Sequence, residues 1–167
     1  TVNIALVEHG VPVIGVVHSP ALGVLYSAWH DGKSAGRAER CKVSERGECF
    51  ERHAVSTRRA PARQVIVATR SHMTEETKSY LSQHTGAELR NIGSSLKFCL
   101  LAEGEADLYP RFGTTMEWDT AAGDAVLRAA GGSTTTLDGN PLAYGKRGQD
   151  GMSDFQNPFF VSRGGQV

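Results

Sequence analysis

A tryptophan and an aspartate, Trp118-Asp119, stand directly before Thr120-Ala121-Ala122-Gly123, a run of small residues that reads as the start of a helix. A carboxylate at the mouth of such a helix can do two things. As the N-cap it accepts hydrogen bonds from free backbone N–H groups of the first turn, and the helix dipole keeps it ionised there. The same anion is an oxygen ligand for a hard cation such as Mg²⁺. Spacing alone leaves both roles open for Asp119. The small side chains of Ala121, Ala122, Gly123, Ala125, Ala129 and Ala130 keep the helix thin, so it can lie close to another element.

Three further positions suit an anionic ligand. Gly93-Ser94-Ser95 falls where a strand gives way to a helix, a junction that leaves backbone N–H groups free to hold an anion. Lys97 follows in the first turn of that helix, where the dipole disfavours a cation and a bound phosphate would reverse the sign. A serine cap with a solvated lysine is the plainer reading of the same residues. Arg111 comes after Tyr109-Pro110 at a strand end and offers a guanidinium to phosphate. His72, in Arg70-Ser71-His72, leaves a strand just before a helix, where open α/β sheets contact ligands, and could meet a base or a sugar.

These residues need elements to hold them. The pattern predicts a hairpin from strands at 2–7 and 11–17, with a third strand at 22–29. Residues 34–63 are polar, Arg-rich and irregular, and read as a long excursion with one short strand near 40–43. From residue 64 strands and helices alternate: strands at 64–69, 88–92, 106–109 and 158–162, helices at 74–84, 94–103 and 120–130. That alternation argues for a layered arrangement of sheets and helices. It divides the chain into a sheet region with its connection at 1–63 and an α/β region at 64–167.

Bulk properties narrow the function. With 167 residues the chain can bury one good core. Lys plus Arg and Asp plus Glu are equal at 18, so no net field favours nucleic acid or an anionic membrane. No apolar run approaches the ~20 residues of a membrane-spanning helix. Cys41, Cys49 and Cys99 form no CxxC pair and suit reduced thiols in a cytoplasm. The six histidines show no metal-ligand spacing, which argues against zinc. The chain opens in a strand pattern without an initiator Met, as a piece of a longer protein would.

Trp118-Asp119-Thr120-Ala121-Ala122-Gly123, with Ala130-Gly131-Gly132 beyond, resembles the C-terminal signature of the inositol monophosphatase superfamily. The blocks at 1–20, 69–72 and 93–113 are similar to its 3′(2′),5′-bisphosphate nucleotidase branch, the CysQ type, and the run Ser95-Leu96-Lys97-Phe98 favours that branch over plain inositol monophosphatases. The resemblance implies an α+β fold, a layered αβαβα sandwich, of which this chain is the C-terminal part. It also implies Mg²⁺-dependent removal of the 3′-phosphate from adenosine 3′,5′-bisphosphate, a by-product of sulfate assimilation, to give AMP and phosphate. Asp119 would be the catalytic metal ligand and lie beside the substrate. His72, Ser94, Lys97 and Arg111 would contact the nucleotide and its phosphates.

The family's other metal ligands come from an upstream glutamate-rich segment and an Asp-Pro-(Ile/Leu)-Asp-Gly-Thr run. Leu137-Asp138-Gly139-Asn140 and Glu75-Glu76 mimic these but lie in the wrong places along the chain. The remaining ligands are therefore expected on an N-terminal part outside this sequence, needed to complete the site, and the chain alone is expected to be inactive. The resemblance leaves a homodimer open and implies a cytoplasmic enzyme, at most peripheral to the inner membrane. Two other readings stand beside it: an inositol- or fructose-bisphosphate-type sugar phosphatase, disfavoured by Lys97, and a non-catalytic nucleotide-binding or structural remnant.

Overall fold

The computed structural model describes residues 1–32, 36–69 and 74–165. Five antiparallel strands make a meander in chain order: β1 (Val2–Glu8), β2 (Val11–Ser19), β3 (Val24–His30), β4 (Gly36–Val43) and β5 (Cys49–Val55). His9 and Gly10 join β1 to β2 with φ of 49° and 81°, the pair of positive values a two-residue type I′ hairpin needs. Along β2, Pro12, Gly15, Val17 and Ser19 are buried on one face while Ile14 stays exposed on the other.

The second sheet has the order β7-β6-β8-β10-β9, built from β6 (Val65–Ala68), β7 (Glu88–Asn91), β8 (Leu108–Arg111), β9 (Ser133–Thr136) and β10 (Phe160–Arg163). β6 runs parallel to β7 and β8, and β10 runs antiparallel to β8 and β9. The described residues also form three α-helices: α1 (Glu75–Ser82), α2 (Leu96–Ala102) and α3 (Glu117–Ala129).

The elements stack in four layers: first sheet, α2 with α3, second sheet, α1. Helix α3 lies on β1 to β4, and Gly15 shows how closely. A Cβ there would stand 2.3 Å from the Ala122 carbonyl oxygen and 2.7 Å from the Ala125 Cβ. The small-residue stripe serves that approach. The main core between the sheets includes Val17, Tyr26, Val67, Phe98, Leu101, Val126 and Phe160. A smaller one, Ile66, Leu108, Phe112 and Val161, sits under α1 with Tyr80 and Leu81. One core thus joins residues from both parts of the chain. No helix among the described residues is long and apolar enough to cross a membrane.

The structure departs from the sequence reading in four places. The polar stretch read as an excursion with one short strand near 40–43 holds two full strands: β4, which contains that short strand, and β5. Their charged side chains pair as Arg37–Glu39 and Lys42–Glu51 on the last two strands of the sheet, so polarity does not preclude it. The rest of that stretch is stapled down: Arg58 grips the buried Asp107 with Nε and Nη2, each at 2.9 Å. Strand β9 was not expected. Helix α3 starts three residues earlier, at Glu117, and β8 begins and ends later, so that Arg111 lies within it.

Candidate active site

The parallel strands β6, β7 and β8 end at one edge of the second sheet, and a cleft of ≈ 460 Å³ opens beyond that edge. Crevices at the carboxyl ends of parallel strands are the usual ligand sites of open sheets. Its walls include Ser94, Lys97, Tyr109, Arg111, Asp119 and Thr120. The structure therefore brings together four of the five residues singled out by sequence. The fifth, His72, lies outside the described residues.

Lys97 is 3% exposed, not solvated. Its Nζ donates to the carbonyls of Ser94 at 2.8 Å and Ile92 at 3.3 Å, and it lies 4.9 Å from the centre of the Tyr109 ring. No carboxylate among the described residues pairs with it. Burial pushes its pKa down to about 8, and the Arg111 charge pushes the same way. Ser94 adopts a left-handed φ of 62°, rare for a residue with a side chain, and gives Lys97 its carbonyl. The next hydroxyl, Ser95, bonds Asn3 Oδ1 at 2.6 Å and the Thr1 hydroxyl at 2.9 Å, tying α2 to β1.

Arg111 donates from Nη2 to the Thr114 carbonyl at 3.1 Å, while its buried Nε has no hydrogen-bond partner among the described residues. A buried donor without a partner costs about 1–3 kcal/mol, so it is a place where a ligand acceptor would be stabilised. Lys97 and Arg111 thus present two positive charges that form no ion pair among the described residues.

Asp119 is not the N-cap. Because the helix begins at Glu117, Met116 takes that position and Asp119 falls at the third residue of the first turn. Its Oδ2 reaches back to accept the Met116 N–H at 2.9 Å, the reciprocal half of a capping box. Oδ1 makes no hydrogen bond with the described residues, and the side chain is exposed to the cleft.

The turn carrying Asp119 rests on side chains that the sequence did not single out. Glu117, 8% exposed, accepts from the backbone N–H groups of Gly145 (2.6 Å) and Lys146 (2.9 Å) and from Lys146 Nζ (2.7 Å). Burial alone would raise its pKa, but Lys146 and the two N–H groups outweigh it and hold the carboxyl below its ordinary value. Asn157 Nδ2 donates to Thr115 Oγ1 at 3.2 Å and Thr120 Oγ1 at 3.0 Å. The one sequence signal for this brace is that Glu117 abuts Trp118-Asp119; its partners lie 28 and more residues away.

Among the described residues no three His, Cys, Asp or Glu side chains gather into a metal cage. One free carboxylate oxygen still fits Mg²⁺, which is commonly held by one or two carboxylates, phosphate oxygens and water. The cleft thus sets two cations and one free carboxylate oxygen in the same walls.

Residues 1–155 match the inositol monophosphatase family. The chain is 46% identical over 160 residues to the 3′(2′),5′-bisphosphate nucleotidase CysQ of Escherichia coli (strain K12), covering 96% of this chain and 58% of that protein. It is 44% identical over 144 residues to CysQ of Buchnera aphidicola, covering 86% of this chain and 50% of the relative. The crystal structure of CysQ from Bacteroides thetaiotaomicron, a bacterial member of the inositol monophosphatase family, superposes with a TM-score of 0.80 at 37% identity, over 99% of this chain and 62% of that one. An inositol monophosphatase from Zymomonas mobilis shares the fold, with a TM-score of 0.69 at 20% identity. The chain thus spans between 50% and 62% of the length of these CysQ relatives. With its two sheets, its interleaved helices and the Trp118-Asp119 turn at the cleft, the chain belongs to the inositol monophosphatase family.

Proposed function

We propose that this chain forms the phosphate-binding wall, and one metal-ligand position, of a Mg²⁺-dependent 3′(2′),5′-bisphosphate nucleotidase acting on adenosine 3′,5′-bisphosphate. The observation that carries this reading is a cleft whose walls hold two cations, Lys97 and Arg111, and the Oδ1 of Asp119, none of them in an ion pair among the described residues. The 46% identity to a protein named as that nucleotidase supports the substrate class.

In the reaction, water adds to the 3′-phosphorus and the 3′-oxygen leaves, giving AMP and inorganic phosphate. Mg²⁺, when bound, supplies activation of the water and screening of charge at the phosphoryl group. Asp119 contributes one carboxylate oxygen to it. Lys97 and Arg111 hold phosphate oxygens by charge-assisted hydrogen bonds, each adding roughly 1.5–3 kcal/mol. Ser94 keeps the Lys97 ammonium aimed through its carbonyl and lines the cleft. His72 contacts the nucleotide. A cytoplasmic enzyme that clears a by-product of sulfate assimilation fits this chemistry.

Calorimetric titration of the chain tests the reading. Adenosine 3′,5′-bisphosphate, with two phosphates, should bind at least about tenfold more tightly than AMP or inositol 1-phosphate, since ~1.4 kcal/mol suffices for that factor. Equal or tighter binding of inositol 1-phosphate would replace this reading with that of an inositol-phosphate phosphatase.

A further inference from the structure

We propose that Glu117 and Lys146 are positioning residues for Asp119, holding its carboxylate where it can take a divalent cation. This role rests on the reading of Asp119 as a metal ligand.

Asp119 has little hold of its own. Among the described residues its side chain makes one hydrogen bond, accepting from the backbone of its own turn at Met116. The turn is fixed from outside instead. The Glu117 N–H donates to the Phe155 carbonyl at 2.8 Å, and Met116 pairs with Gln156 in an isolated bridge. The Glu117 carboxylate takes three hydrogen bonds from Gly145 and Lys146. Lys146 Nζ goes on to the Ala143 carbonyl at 2.6 Å and to Asn157 Oδ1 at 3.2 Å. Asn157 then holds the threonines on either side, Thr115 and Thr120. Residues 115, 116, 117 and 120 are therefore all tied to the loop at 143–157, and Lys146 and Glu117 form the charged joint between the two. Both are sheltered, with side chains 18% and 10% exposed.

A carboxylate ligand works when its oxygen is already in place, because each degree of freedom frozen on binding weakens the metal. Outer groups that orient a ligand typically change metal affinity by about ten- to a hundredfold when removed. A brace that only stabilised the fold would lower the melting temperature and leave that affinity alone.

The test follows the broadening of amide resonances 116–121 in the labelled chain as Mn²⁺ is added in the presence of inorganic phosphate. Wild type should broaden and Asp119→Asn should not. Lys146→Met and Glu117→Gln should weaken Mn²⁺ binding by about tenfold. Arg58→Met serves as the control for stability: it removes the partner of buried Asp107 at the opposite end of β8, and should lower the melting temperature without moving Mn²⁺ affinity. If Lys146→Met and Glu117→Gln bind Mn²⁺ like wild type while Asp119→Asn does not, the positioning role is overturned and Asp119 remains a ligand. If Arg58→Met weakens Mn²⁺ as much as they do, the brace is merely structural. Wild-type broadening in Asp119→Asn would instead overturn the reading of Asp119 itself.

Discussion

Lys97 is an ammonium group buried among carbonyl dipoles, an aromatic face and a second cation. Burial and Arg111 bring its pKa down to about 8. Between about that pH and the ordinary lysine value the unfolded chain holds more protons than the folded one, so stability rises with pH in that window. The unfavourable contribution is fully present below about pH 8 and is relieved above it. Ligand binding has the opposite sign. Only the charged form pairs with phosphate, and phosphate itself is fully ionised above about pH 7. Affinity for adenosine 3′,5′-bisphosphate should therefore fall about tenfold from about pH 7 to about pH 9, following the fraction of charged lysine. Lys97→Met should bind weakly at both and show no such slope. Calorimetry at the two pH values checks this, and a wild-type affinity independent of pH would falsify the role given to Lys97.

At the scale of elements, the approach of α3 to β2 depends on the absence of side-chain atoms. Gly15→Ala would press a methyl group against the backbone oxygen of Ala122, which cannot swing away. Overpacking of this kind costs about 1–3 kcal/mol, a fall in melting temperature of several degrees in a domain of this size. A thermal melt of Gly15→Ala that matches wild type would show that α3 can lift off the sheet freely. The small-residue stripe that permits this contact was plain in the sequence, as were the first hairpin, β6 and all three helices. What escaped had a physical cause in each case. In the rest of β4 and in β5, charged side chains pair with one another on the last two strands and hide the alternation. β9 is only Ser133-Thr134-Thr135-Thr136, and its buried Thr134 is satisfied by the Ser162 hydroxyl at 2.9 Å across the sheet rather than by apolar packing. The cleft was legible as residue types at strand ends. The burial of Lys97 and the brace around Glu117 were not: Lys97 is covered once Ser94 turns left-handed and Tyr109 packs beside it, and Glu117 depends on groups distant in the chain.

Over the whole molecule, the two faces of the first sheet differ. One lies on α3; the other carries Val2, Ile4, Leu6, Ile14 and Trp29, exposed by 52, 65, 45, 45 and 53%. Ile14 stands opposite Leu6 on one side and Trp29 on the other, so these side chains form a continuous apolar strip. Strips of that kind bind other surfaces, and β1 beside them is a sheet edge with no charge before Glu8. The 167-residue chain should bind a hydrophobic dye and associate in a concentration-dependent way in light scattering. Ile4→Lys with Ile14→Lys should suppress both while leaving the circular dichroism unchanged; association that survives the pair would locate the contact elsewhere. Catalysis depends on the same wider question of what the chain supplies by itself. Its cleft offers Asp119 as one carboxylate and gathers no metal cage among the described residues, whereas stabilising a phosphoryl transition state takes cations held in fixed places. Binding needs only Lys97 and Arg111 and should survive. The chain should therefore bind adenosine 3′,5′-bisphosphate yet release phosphate from it little faster than buffer containing Mg²⁺, and Asp119→Asn should change that background by less than about twofold. Phosphate release at ordinary enzymatic rates, abolished by Asp119→Asn, would mean that one carboxylate with substrate oxygens and water is enough to hold the catalytic cation in this cleft.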